Sequence, residues 1–100
     1  MVMKRIIENK FGDIMDAYSI IVKPHISEKT MNLIEEKNEL AFVVYRESNK
    51  KQIKNAFEQL FQESVKNVNT HITSKGIKIA FIKLVNENKA EDVAVRMGVF

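Results

Sequence analysis

Two periodicities meet end to end in the middle of this chain. Ile53, Ala56, Phe57, Leu60 and Phe61 recur at i, i+3, i+4, i+7 and i+8, which lines five apolar side chains along one stripe of a helix. A few residues later the period falls to two. Val68, Thr70 and Ile72 take one side of an extended segment, and Asn67, Asn69, His71 and Thr73 take the other. A one-sided helix beside a one-sided strand can bury both apolar faces only by packing the helix on a sheet.

The flanking signals set the boundaries. Asn49 followed by Gln52 forms a capping-box pattern, which predicts a helix from about 50 to 62. Ser74-Lys75-Gly76 reads as a turn into residues 77–85, so the two extended segments pair as a hairpin. Residues 40–45 are apolar at every position and predict a central strand with both faces covered. Residues 18–22 read as a short strand stopped by Pro24, with Lys23 held extended by the proline after it. Ser27 is an N-cap for a helix with Glu28 in its first turn; it carries Met31, Leu33 and Ile34 and dissolves in the polar run 35–39. Ala90, Val93, Ala94 and Met97 predict a short terminal helix ended by Gly98.

The order is short strand, helix, strand, helix, hairpin, short helix: an α+β fold, a mainly antiparallel sheet of about four strands with helices packed on it. Residues 16–100 form one domain. Residues 1–15 read as an N-terminal extension, either a mobile arm or a stretch upstream of a start at Met15. Ile6, Ile7, Phe11 and Ile14 suggest a helical face there, interrupted by Gly12.

A chain of 100 residues supports one modest core. With no cysteine there is no disulfide scaffold, thiolate metal site or cysteine nucleophile. The apolar run 40–45 is far shorter than the roughly 20 residues that span a bilayer, and after Lys4 and Arg5 only Ile6 and Ile7 precede Glu8, so no signal-peptide core follows. This predicts a soluble, intracellular protein with no membrane insertion. The net charge of +3 is unevenly spread: residues 46–83 hold eight Lys/Arg against three acids, and the remainder eight against ten. A basic half inside an otherwise slightly acidic chain points to an anionic partner.

Catalytic patterns are missing. His25 and His71 lack the companions that a zinc site of three or four ligands needs. Glu35, Glu36 and Glu39 read as a solvated run at a helix end. Ser27 is better explained as a cap than as a nucleophile, because no base with an orienting group accompanies it. Gly12, Gly76 and Gly98 make no phosphate loop. Neither an enzyme nor a cofactor is expected.

What remains suits a polyanion. Lys50, Lys51 and Lys54 lie opposite the apolar stripe of their helix, and the hairpin adds Lys75, Lys78 and Lys83. Asn67, Asn69, Thr70, His71 and Thr73 offer neutral groups for phosphate, ribose hydroxyl or base edges.

The block Lys23-Pro24-His25-Ile26-Ser27-Glu28-Lys29-Thr30 resembles the signature of the large-subunit ribosomal protein L twenty-three family. The resemblance continues in order through Leu40-Ala41-Phe42-Val43-Val44, the helix from Asn49-Lys50-Lys51 to Leu60-Phe61, Val65-Lys66-Asn67-Val68-Asn69-Thr70, and Lys78-Ile79-Ala80-Phe81-Ile82-Lys83-Leu84. It covers residues 16–100. The tight turn at 73–77 leaves no room for the long tunnel-lining loop of bacterial members, and with the ending of the chain it looks archaeal.

The resemblance implies a structural, rRNA-binding protein of the large ribosomal subunit, cytoplasmic, at the exit of the peptide tunnel. Its implied partners are large-subunit rRNA, neighbouring ribosomal proteins, and nascent-chain factors such as signal recognition particle and chaperones. The expected RNA contacts are Lys23, Lys29, Thr30, Lys50, Lys51, Lys54, Asn67, Asn69, Thr70, Lys75 and Lys78. Ser27 and Glu28 match the segment that docks nascent-chain factors. The family's paired base at 78 and 79 is Lys78-Ile79 here, one cation short. The rival reading is a non-ribosomal α+β interaction or regulatory module whose basic half binds an acidic protein.

Overall fold

A computed structural model describes Ile6–Glu8 and residues 14–100, with side chains from Ala17 onward. The elements run β1 (Ile6–Glu8), β2 (Ile14–Asp16), α1 (Ala17–Ile20), β3 (Ile21–Pro24), α2 (Glu28–Lys37), β4 (Glu39–Val44), α3 (Lys50–Phe61), β5 (Val65–Ile72), β6 (Lys78–Leu84) and α4 (Lys89–Arg96). β3 to β6 form one antiparallel sheet in the order β3-β4-β6-β5. The expected α+β class and four-stranded sheet are therefore present.

The core lies between one face of this sheet and the helices. Leu40, Phe42 and Val44 of β4 face the same side as Ala80 and Ile82 of β6, because the register pairs Leu40 with Ile82 and Phe42 with Ala80. Ile53, Ala56 and Phe57 of α3 are fully buried against them, joined by Ile34 of α2 and by Ala90, Val93 and Ala94 of α4. Phe42, Phe57 and Phe61 form an aromatic cluster, with ring centroids 5.8 Å apart for Phe42 and Phe57 and 4.8 Å for Phe57 and Phe61. Every residue of the predicted helical stripe faces this core, Leu60 and Phe61 at its half-buried margin.

Local chemistry fixes the ends. Both capping patterns close fully: the Gln52 amide donates to Asn49 Oδ1 at 2.8 Å while the Asn49 amide donates to Gln52 Oε1 at 3.0 Å. In the hairpin, the Gly76 amide donates to the Thr73 carbonyl at 2.9 Å and the Thr73 amide to the Ile77 carbonyl at 2.8 Å. Gly76 sits at φ +81°, the left-handed position that a three-residue hairpin loop reserves for glycine.

Two expectations need correction, one here and one at the N-terminal end. Residues 18–20 are not strand but part of the helical turn α1, and β3 starts at Ile21 and includes Pro24. Proline is tolerated there because β3 is an edge strand, where one N–H is not needed for a ladder. α2 ends at Lys37, inside the polar run 35–39 where its end is expected, stopped by Asn38 at φ 55°. Asn38 holds that stop by tertiary contacts: its Nδ2 donates to the Leu84 and Asn86 carbonyls, and its Oδ1 accepts from the Ala90 amide at 2.9 Å. β4 is central and covered on both faces, as expected: Ala41 and its neighbour Ile79 point away from the helix-side core and are nevertheless 5% and 4% exposed.

At the N-terminal end, Ile6–Glu8 and Ile14–Asp16 pair antiparallel with Ile7 opposite Met15, so strands stand where the spacing suggested a helical face. The remainder of that expected extension, including Phe11 and Gly12, lies outside the described residues. Among the described residues no helix is long and apolar enough to cross a membrane.

Candidate nucleic-acid interface

The lysines of α3 follow directly from the helix period. With Ile53, Ala56 and Phe57 turned inward, Lys50, Lys51, Lys54 and Asn55 are carried on the opposite side, and all four are exposed. Three cations on about one and a half turns make a compact positive strip.

Next to its N-terminal end, the loop after β4 meets the tip of the hairpin. Ser48 is 2% exposed, and its hydroxyl and amide both donate to the Tyr45 carbonyl. Lys78 reaches across from the start of β6 and donates to the Ser48 carbonyl at 2.6 Å and to the Arg46 carbonyl at 3.4 Å. Lys78 is therefore partly occupied as a strut between hairpin and loop. Lys75 at the tip is exposed. Arg46, which sequence reasoning did not single out, brings its guanidinium to 3.5 Å from where a Cβ on Gly76 would stand.

The open side of the sheet forms a second polar surface. The register places Asn67 opposite Lys83, Asn69 opposite Phe81 and His71 opposite Ile79. On the other side of β6, Lys83 faces Glu39, Phe81 faces Ala41 and Ile79 faces Val43, and Lys23 of β3 pairs with Val43. All of these side chains belong to the face away from the helices. Asn67 and Asn69 thus share a face with Lys23, which stands on the opposite edge strand, whereas Thr70 pairs with Ala80 on the core side. Phe81 was missed as a surface aromatic. A three-residue loop sets Thr73 opposite Ile77, and counting back from there finds it.

The block around Ser27 forms a third region, the start of α2. The Ser27 hydroxyl accepts from the Thr30 amide at 3.2 Å, and the Ser27 amide donates to Thr30 Oγ1 at 2.8 Å. Thr30 is 4% exposed, with its hydroxyl taken up by this box, so it supports the helix start from beneath. Lys29 and Glu28 are exposed on the same turn, and among the described residues no cation pairs with Glu28. Among the described residues, too, no three of His, Asp and Glu converge as a metal ligand set.

Comparison with known proteins identifies the architecture. Residues 19–93 match the family model described as Ribosomal protein L23. The chain is 63% identical over 86 residues to "Large ribosomal subunit protein uL23" of Methanobrevibacter smithii, covering 86% of this chain and all of that protein. The proteins of the same name from Methanothermobacter thermautotrophicus and Methanosphaera stadtmanae are 58% and 55% identical over the same extent. These relatives are archaeal, in agreement with the short hairpin turn. With most of its length under one family model and full-length relatives at this identity, the chain belongs to the ribosomal protein L23 family, in its archaeal type, a structural and non-enzymatic family.

Proposed function

We propose that this protein is a cytoplasmic, structural constituent of the large ribosomal subunit that holds large-subunit rRNA near the exit of the peptide tunnel. The family membership supports the setting, and one observation carries the RNA-binding reading: Lys50, Lys51 and Lys54 are all exposed on the face of α3 that the core leaves unused. Lys75 and Arg46 extend the positive strip toward the hairpin tip, and Asn67 and Asn69 add neutral hydrogen-bonding groups on the sheet. Neighbouring large-subunit proteins are the other structural partners.

A second role sits at the start of α2. Glu28 is exposed and stands on a helix start locked by the Ser27–Thr30 box, a rigid position for a negative charge. In this reading Ser27 positions the turn and Glu28 meets nascent-chain factors such as signal recognition particle.

Membership is tested by mass spectrometry of large subunits isolated on sucrose gradients, where this chain should appear in near-stoichiometric amount. RNA binding is tested by titrating the protein onto an rRNA fragment at several salt concentrations. Affinity should fall steeply with salt as lysines displace condensed counterions. A salt-independent interaction would instead fit an apolar protein partner and overturn the RNA reading.

A further inference from the structure

We propose that the helix-free face of the sheet is a seat for an unpaired stretch of RNA, with one base stacking on Phe81 and another on Tyr45. The proposal rests on the RNA-binding reading above and adds a second, chemically different surface to it.

The face has the parts that such a seat requires. Ala41 and Ile79 of the two central strands, 5% and 4% exposed, are buried apolar support beneath the face. Phe81 stands beside this support, half-buried, so part of its ring meets solvent. Tyr45 continues the outward alternation of Ala41 and Val43 just past β4 and is 43% exposed. Phe81 lies opposite Ala41, four residues along β4 from Tyr45. At about 3.3 Å per residue the two rings are roughly 13 Å apart along the sheet, which suits two separate bases.

The rim indicates what lies on the face. Asn69 is directly opposite Phe81 on β5, placed to bond the edge of a base stacked there. Lys23 stands exposed at the β3 margin of the face, opposite Val43, while Lys83 at the other end lies beside Glu39. A protein partner would favour a continuous apolar patch, and lysine is depleted in such interfaces. Aromatic rings on a flat surface with amides and lysines around them match single-stranded RNA, because every base has a face that can stack. A duplex fits poorly: a four-stranded sheet is too broad for the deep A-form groove, and paired bases have no free faces.

The chain contains no tryptophan, so Phe81→Trp places a single reporter on the proposed seat while keeping an aromatic ring. Its emission should be quenched by single-stranded oligoadenylate and stay unchanged with the same strand annealed to oligouridylate. Phe81→Leu and Tyr45→Leu keep apolar bulk without a ring. Each should weaken single-strand binding on the order of tenfold, with duplex binding and thermal melting close to wild type. Unquenched tryptophan together with wild-type affinity in both leucine variants would overturn the proposal. If the wild type binds an rRNA fragment with a steep salt dependence yet ignores the single strand, the sheet seat fails and the RNA reading stands. If it binds no RNA at all, both fail. A partner protein seated on this face would leave the tryptophan silent to RNA and likewise overturn the proposal.

Discussion

The ammonium of Lys78 donates to the backbone carbonyl of Ser48 at 2.6 Å, bridging two segments that are 30 residues apart in sequence. This bond separates Lys78 from the other lysines of the basic half, because it ties the hairpin to the loop that leads into α3. Replacing Lys78 by Met keeps the apolar stem and removes the bond. A charged hydrogen bond is worth about 1.5–3 kcal/mol, and partial exposure of Lys78 reduces this, so a loss of about 1 kcal/mol is expected in urea unfolding. Lys75→Met at the tip should stay within about 0.5 kcal/mol. Equal effects of the two changes would show that Lys78 is not a strut.

Phe57 is fully buried and touches both Phe42 and Phe61. Phe57→Ala should cost about 3–5 kcal/mol, a large share of the roughly 5–15 kcal/mol that holds a domain folded. Chemical unfolding monitored by circular dichroism measures it, and a loss below about 1 kcal/mol would contradict the packing.

Asn38 serves two purposes, a left-handed stop for α2 and a side chain bonded to Leu84, Asn86 and Ala90. Asn38→Gly keeps the conformation and removes the bonds, whereas Asn38→Ala disturbs both. The glycine variant should lose about 1–3 kcal/mol and the alanine variant more. The reverse ranking in thermal melts would mean that the side-chain bonds carry little.

Changing Lys50, Lys51 and Lys54 together to Gln removes three exposed cations without touching the core. If all three meet phosphates, the slope of log affinity against log salt should fall by about 2–3, at roughly 0.7–0.9 per contact. The circular dichroism spectrum should not change. An unaltered slope would move the phosphate contacts to the hairpin tip.

Glu28 stabilises the start of α2 by about 0.3–1 kcal/mol at most through the helix dipole. Glu28→Gln should therefore melt almost like wild type, and Glu28→Lys only slightly lower. Ribosomes carrying Glu28→Lys should lose affinity for nascent-chain factors far beyond that stability change. Unchanged factor binding would leave Glu28 with a role at the helix start alone.

Wherever a side chain repeats with the period of its own element, the architecture was readable in advance. The stripe from Ile53 to Phe61, the box at Asn49, the turn at Gly76 and the alternation through Asn67 and Asn69 all lie where the spacing places them. The rest falls where distant residues decide. The end of α2 lies within the expected run 35–39, but the bonds that fix it at Asn38 reach partners 46 to 52 residues away, which no local pattern reveals. The helical turn at 17–20 hides apolar residues whose types equally suit a strand, and Ala17 and Ile20 are both fully buried. In the candidate interface, exposure of the α3 lysines followed from helix geometry. The strut role of Lys78 and the inward placement of Thr30 did not, since both depend on which backbone groups lie nearby.

The sheet order β3-β4-β6-β5 also bears on how the protein is made. β6 is the last strand to be synthesised, yet it is the bridge between β4 and β5. A growing chain that ends before residue 78 has a β3-β4 pair and a β5 segment with no strand to join them. Helix α3 can form early from local contacts, but the surface it needs stays incomplete until Leu84 has left the ribosome, and α4 docks later still. Closure of the fold thus waits for β6, and a chain stopped before residue 78 is left with open strand edges of the kind that aggregate.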